Sequence, residues 1–213
     1  WYGDHRDLHV RSRRQRQMCI RDRYIGGIYT DIVSNTIKYN EEDGIHILNQ
    51  GSRTTIQQNT IIDNEENAIH VLSNHVSIKL NTIDGDTSEM AILLNTAGSA
   101  SVTNNTIEGG SQGIKVQNST NVFIYNNTVK SNSWYGIYLL LGSHSAEIKS
   151  NTVKDNEDDG IYLVSSNSAD IADNTIEDNT NTNLEKDDNG NIIKIVVDSS
   201  CESITHSKTA SEA

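Results

Sequence analysis

The chain has 213 residues, a formal net charge of −12, 5% aromatic residues and no proline. The acidic balance disfavours nucleic acid and anionic membrane surfaces, because it repels phosphate. No apolar run approaches the ~20 residues that span a bilayer, so no membrane insertion is expected.

In chain order, the first segment stands apart. Trp1 to Arg23 hold seven arginines, whereas the rest of the chain uses Lys and a single Arg, Arg53. Back-translated, Arg13 to Arg23 resemble the adapter of transposon-based sequencing libraries. Tyr2 to His9 resemble the flow-cell end of the same adapter, in the same frame and the correct order. Residues 1–23 are therefore expected to be a non-native, adapter-derived segment rather than a basic nucleic-acid arm or a targeting peptide. The native N-terminus and any export signal would then be missing. Cys19 falls in this segment. Cys201, left alone, forms no internal disulfide, and no metal-type cysteine spacing exists.

From Tyr24 onward a repeat takes over. Asn-Thr followed by Ile or Val recurs at Asn35, Asn59, Asn81, Asn105, Asn127, Asn151 and Asn174, at spacings of 22 to 24 residues. Three residues before each Asn lies an aliphatic, from Ile32 to Ile171, and two after lies another, from Ile37 to Ile176. A second block, a small residue then aliphatic-x-aliphatic, reads Gly44-Ile45-His46-Ile47, Ala68-Ile69-His70-Val71 and Ala91-Ile92-Leu93-Leu94. It continues as Gly113-Ile114-Lys115-Val116, Gly136-Ile137-Tyr138-Leu139 and Gly160-Ile161-Tyr162-Leu163. These apolar stretches are too short for helices and alternate with period two. A leucine-rich repeat would need a Leu-based consensus, and a propeller blade needs roughly 40 residues. Three short strands in a coil of roughly 23 residues predict an all-β parallel β-helix of seven to eight coils over residues 24–207, with a tail at 208–213. The seven Asn are expected to point into a tight turn and to stack, each carboxamide bonding its neighbours, as a structural ladder.

The ends depart from the pattern. Gly27-Ile28-Tyr29 lies only seven residues from Asn35, so the first coil is expected to be incomplete, with Tyr29 a candidate extension of the outer face. Ile193-Lys194-Ile195 reads as an eighth inner block, with Ile204 at the pre-Asn position and Ser207 in place of the Asn.

Alternation puts the middle residue of each Ile-x-Leu block outside, which gives a column of His46, His70, Leu93, Lys115, Tyr138, Tyr162 and Lys194. Tyrosine faces suit stacking on sugar rings, and His and Lys bond hydroxyls or carboxylates. His46, His70, Tyr162 and Lys194 are candidate substrate-binding residues. Lys115 and Tyr138 are the candidate catalytic pair. A polar ladder that keeps a strand face soluble explains the same column without a ligand. His46 and His70 face each other across one coil, but the motif offers them no third ligand, so no zinc or copper site is predicted. Acidic turns, notably Glu41-Glu42-Asp43 and Glu157-Asp158-Asp159, flank the column. Asp158 and Asp159 are the candidate ligands for Ca²⁺, the sole cofactor considered, although ordinary solvated charge accounts for them more simply.

The Asn-Thr-Ile motif, the Asn that follows it (Asn40, Asn64, Asn132, Asn156, Asn179) and the Gly-Ile-x-Leu block resemble the right-handed parallel β-helix repeat family of the pectate-lyase-like superfamily. That family includes polysaccharide lyases, hydrolases, uronate epimerases, periplasmic proteins of copper-enzyme maturation and surface proteins without catalysis. The resemblance implies a secreted or cell-surface, monomeric protein that binds carbohydrate, a fragment of a longer chain with a polysaccharide or other glycan as partner. The alternatives are a lyase or uronate epimerase of an acidic polysaccharide, and a non-catalytic structural or periplasmic accessory solenoid. A glycoside hydrolase needs two carboxyl groups at defined separation, and the outward column holds none. The adapter reading has its own test: deletion of Trp1 to Arg23 is expected to leave the melting temperature nearly unchanged, whereas a loss of several kcal/mol would require real burial.

Overall fold

The computed structural model describes residues 23–180 apart from 86–88 and 167, together with the backbone of Glu185–Lys186, Ile192–Ile193, Ile195–Val197 and Thr205–Ser207. It is an all-β parallel solenoid. Three sheets run its length, two of eight strands and one of seven, and each strand pairs with its equivalent one coil away. The first sheet contains Ile45–Ile47, Ile69–Val71, Met90–Asn95, Gln112–Gln117, Ile137–Leu140 and Ile161–Leu163. The second begins at Asp31–Val33 and the third at Thr36–Lys38. No helix occurs among the described residues.

The interior is built from the same residue type repeated in register. Ile45, Ile69, Ile92, Ile114, Ile137 and Ile161 stack in the first sheet, and all are fully buried. Ile56, Ile78, Val102, Ile124 and Ile148 do so in the second. Each buried aliphatic contributes about 1.5–3 kcal/mol of transfer free energy. β-Branched side chains suit this stack because each packs on the branch of its neighbour above and below.

The corner between the second and third sheets repeats one conformation. Ser34, Gln58, Leu80, Asn104, Asn126, Ser150 and Asp173, each just before a ladder Asn, lie in the left-handed region at φ of 54 to 57°. That conformation costs a non-glycine residue roughly 1–2 kcal/mol, and the ladder offsets it. Asn105 is typical. Its Nδ2 donates to the Ile78 carbonyl at 3.0 Å and to Asn127 Oδ1 at 2.9 Å. Its Oδ1 accepts from the backbone N–H and the Nδ2 of Asn81, at 2.9 and 3.0 Å. Both donors and both acceptor sites of a carboxamide are thereby used. The chain of bonds runs unbroken from Asn35 to Asn174. A second ladder occupies the next corner, through Asn40–Asn64 and Asn132–Asn156–Asn179. At Gly110 the side chain is missing and the backbone half of the ladder remains, its N–H donating to Asn132 Oδ1 at 3.2 Å as the Asn132 N–H does to Asn156 Oδ1.

The first inner residue of each coil also sits under a steric limit. A Cβ on Gly160 would stand 2.6 Å from Ile176 Cγ2 and 2.8 Å from Asn179 Nδ2. Only Gly or Ala fills this position from Gly44 to Gly160, which explains the small residue of the repeat.

Three expectations about the ends are corrected. Tyr24, not Tyr29, continues the outer column, because Arg23–Ile25 pairs with Ile45–Ile47 in register. Tyr29 is an exposed turn residue at φ 59°. At the other end Ile195, not Ile193, pairs with Ile161, and Val196 takes the position beside Tyr162. Ile192–Ile193 instead pairs antiparallel with Glu185–Lys186. A two-residue slip preserves the alternation, so Ile-Val-Val satisfies the pattern as well as Ile-Lys-Ile. Lys194 itself lies outside the described residues. Likewise His206, not Ile204, pairs with Ile171.

Two substitutions test the corner. Asn105→Ala strands the Asn81 donors and the Ile78 carbonyl, and is expected to cost on the order of 3 kcal/mol or more in denaturant unfolding. Leu80, exposed and in the left-handed region, precedes an outer pair in which Asn126 Nδ2 donates to Asn104 Oδ1 at 2.6 Å. Leu80→Asn relieves the strain and extends that pair, and is expected to raise stability by about 0.5–1 kcal/mol.

Candidate functional site

The outward face of the first sheet is organised as two parallel rows. The strand row pairs Tyr24 with His46, His46 with His70, His70 with Leu93, Leu93 with Lys115, Lys115 with Tyr138 and Tyr138 with Tyr162. The turn row lies three residues earlier in each coil, in the turn entering the strand or, at Met90 and Gln112, on the first residue of a longer strand: Asp43, Asn67, Met90, Gln112, Tyr135 and Asp159. It is fixed by backbone bonds from the following small residue to the equivalent carbonyl of the next coil. Gly44 N–H donates to Asn67 O at 2.8 Å, and Gly136 N–H to Asp159 O at 3.0 Å. The strand row is not an open ladder. From His46 to Tyr162 none of its members is exposed, and Leu93 is only 8% accessible although it points outward. The turn row partly covers it.

At the C-terminal end the two rows make an aromatic cluster. The rings of Tyr138 and Tyr162 stack at 5.4 Å with 12° between their planes. Tyr135 leans on both, at 4.8 and 4.9 Å, and exposed Trp134 meets Tyr135 edge-on at 6.4 Å. Lys115 carries its ammonium 5.8 Å above the Tyr138 ring centroid, a cation–π distance. Burial pushes the Tyr135 hydroxyl up to about 12, with the negative charge of Asp158 adding to it. Burial, then the neighbouring Tyr162, also raises Tyr138. Burial lowers the Lys115 ammonium below its ordinary value, against the opposing pull of Glu89.

At the N-terminal end the same positions hold a different chemistry. Asp43, 3% exposed, turns Oδ2 toward His46 Nδ1 at 2.8 Å and His70 Nδ1 at 3.1 Å. Its Oδ1 accepts from the backbone N–H and the Nδ2 of Asn67 at 3.0 and 2.7 Å. The two imidazoles lie 4.4 Å apart, and Tyr24 stacks on His46 at 5.0 Å. Burial works against the charge of Asp43, but the bonds from His70 and Asn67 outweigh it and hold the carboxyl low. Burial, and then the adjacent His70, hold His46 below the ordinary imidazole value, so His46 is neutral near pH 7.

The expected candidates fall into two groups. Lys115, Tyr138 and Tyr162 are brought together. His46 and His70 are brought together with each other, and Leu93 separates them from Lys115. Asp158 and Asp159 border the aromatic cluster, where both act electrostatically on Tyr135. They do not belong to any group of three carboxylate, imidazole or thiol ligands close enough to share an ion; among the described residues such a group forms at Asp43, His46 and His70. Sequence reasoning missed the turn row. Asp43 was read as one more acidic turn residue, and Tyr135 and Trp134 were not singled out. No one residue type runs along this row, so only its fixed offset of three residues before each outward position locates it.

Comparison with known proteins places this geometry in context. The family described as "right handed beta helix region" matches residues 72–211. No curated relative matches the sequence. Among solved structures the chain is similar to the periplasmic alginate epimerase AlgG at 16% identity and a TM-score of 0.63, covering 88% of this chain and 61% of that one. It is similar to tailspike protein 2 of an Escherichia coli O157:H7 bacteriophage at 16% identity and a TM-score of 0.63, covering 83% of this chain and 25% of that one. It is also similar to the A-module of the Azotobacter vinelandii mannuronan C-5 epimerase AlgE4 at 11% identity and a TM-score of 0.60, covering 85% and 59%. The chain thus spans less than two thirds of each of these structures, and likeness at such identity speaks to the fold alone. With the family match across most of the repeats, the chain belongs to the right-handed β-helix family.

Proposed function

We propose that the chain binds an extended glycan along the outward face of the first sheet. The observation that carries this reading is the row of Lys115, Tyr138 and Tyr162 along the solenoid axis, with Tyr135 of the middle coil packed against both tyrosine rings. Sugar rings present apolar C–H faces that stack on tyrosine, while their hydroxyls and carboxylates accept from an ammonium. A polymer repeats along one axis, as the coils do, so successive rings can meet successive coils. Leu93 supplies an apolar floor between the two ends of the face. The net charge of −12 favours a neutral glycan, or an anionic one engaged locally through Lys115. A secreted, periplasmic or cell-surface location accords with this reading, and the similar structures include a periplasmic epimerase and a phage tailspike.

A second reading, lyase or uronate epimerase action on an acidic polysaccharide, is favoured by the adjacency of Lys115 and Tyr138. Burial shifts both toward their neutral forms. A proton-abstracting mechanism needs a base, a proton donor and a group that stabilises the developing charge on the carboxylate. Tyr138, held protonated, suits the donor. Lys115, less strongly protonated than an exposed lysine, suits the base or the charge-stabilising group.

A glycan-binding screen separates these readings. The wild type is expected to retain at least one polysaccharide, and Tyr138→Ala/Tyr162→Ala is expected to bind it about 1–3 kcal/mol more weakly. Equal binding by the variant, or no binding by the wild type, overturns the stacking face. Incubation with polyuronates is expected to yield no unsaturated or epimerised product. If product appears and is lost in Lys115→Ala, the catalytic reading replaces the binding one.

A further inference from the structure

The trio Asp43, His46 and His70 has the same spacing as the trio Tyr135, Tyr138 and Tyr162: a turn residue, the strand residue three later, and the strand residue one coil on. The fold therefore builds the same three-sided cluster twice, once from aromatics and once from groups that ligate metals. We propose that Asp43, His46 and His70 bind one divalent first-row transition cation, of which Zn²⁺ is the type.

Three observations carry the proposal. The first is distance. Asp43 Oδ2 lies 2.8 Å from His46 Nδ1 and 3.1 Å from His70 Nδ1, and one ligand atom from each of the three residues lies within 4.8 Å of the others. Ligands bonded to one tetrahedral ion at about 2.1 Å are about 3.4 Å apart. The carboxylate oxygen stands a few tenths of an ångström inside that spacing from each Nδ1, so an ion enters by a slight outward shift of the side chains.

The second is preorganisation. Asn67 grips Asp43 Oδ1 with both its backbone N–H and its Nδ2, which leaves Oδ2 to the histidines. An outer hydrogen bond of this kind orients a ligating carboxylate and is a regular companion of metal sites. Tyr24 fixes the opposite side of His46 by stacking.

The third is the bonding left over. Two imidazoles bring four ring nitrogens, and one carboxylate oxygen is the polar partner they share. The Nε2 atoms of both His46 and His70 are buried without a hydrogen-bond partner. Buried polar atoms in native proteins are generally satisfied. Protein groups thus leave the two imidazoles under-bonded, one carboxylate oxygen serving both Nδ1 atoms. A cation held by the two Nδ1 atoms takes up that shared contact, while Nε2, on the far edge of each ring, stays outside its coordination.

Two nitrogen ligands and one carboxylate select a borderline ion over Ca²⁺ or Mg²⁺, which take oxygen ligands. Three protein ligands leave further coordination positions open to water or to a bound molecule. The site stands on its own residues, and glycan binding at the tyrosines is not needed for it.

The test is calorimetric titration of the whole chain with ZnCl₂ and, separately, with CaCl₂. The expected result is one equivalent of Zn²⁺ bound and no Ca²⁺ bound at the same concentrations. His70→Tyr, which copies the residue at the equivalent Tyr162 position and so preserves the packing type, is expected to weaken Zn²⁺ at least tenfold. His46→Ala is expected to do the same, and Asn67→Ala to weaken it by roughly ten- to a hundredfold through misorientation of Asp43. Glu157→Gln/Asp158→Asn is expected to leave Zn²⁺ binding unchanged, which separates this site from the acidic turns. Metal-free thermal melts verify that each variant folds. Cobalt substitution supplies a second readout, since visible ligand-field bands are expected in the wild type and not in His70→Tyr. The proposal is overturned if the wild type takes up no Zn²⁺, if His70→Tyr and His46→Ala bind it as the wild type does, or if Ca²⁺ binds the same residues equally well.

Discussion

The structure depends on a carboxamide buried at a corner. Turning a chain sharply between two short parallel strands puts one residue in the left-handed region and buries the polar backbone of the next. Both are unfavourable on their own. Asn resolves the two at once. Each side chain caps a carbonyl of the preceding coil and accepts two donors from the Asn stacked on it. Because the bonding reaches from coil to coil, the ladder also fixes register. A slipped coil would break four bonds around each Asn and expose its aliphatic row.

Register in turn converts sequence variation into surface pattern. Interior positions are held to Ile, Val and Leu, and the inner turn to Gly or Ala. Outward positions carry no such constraint. A residue type placed at one offset in successive coils becomes a column, and two offsets become a pocket-like cluster. The same three offsets yield stacked tyrosines at one end and an Asp–His–His group at the other. Their chemistry differs because the residues differ, while the backbone beneath them does not.

This also explains what could be read from the sequence. The ladder Asn and aliphatic rows were legible because each repeats at one spacing in every coil. The strand row from His46 to Tyr162 was legible from simple alternation. The turn row was not, because Asp43, Asn67, Met90, Gln112, Tyr135 and Asp159 share a position but no residue type, so no motif marks them. Asp43 looked like solvated charge when its neighbours in sequence, Glu41 and Glu42, were exposed; its burial follows from Asn67 one coil away. The misplacement of Lys194 has a different cause. Ile193, Ile195 and Val197 all satisfy period two, and the longer preceding loop removes the spacing that would choose between them.

One regularity of the coils bears on how such a chain changes over time. The interval from the aliphatic of the second sheet to that of the third is five residues in every marked coil, from Ile32–Ile37 to Ile171–Ile176. All variation in coil length falls in the two turns that border the first sheet. The ladder is thus a spine that tolerates no insertion, and the turns beside the outward face are rims that do. Gains and losses of residues are steered to the margins of the face that carries the histidines and tyrosines. Such a scaffold can alter what it recognises by editing its rims coil by coil, much as a hand of fixed bones changes its grip through the fingertips, without renegotiating the core.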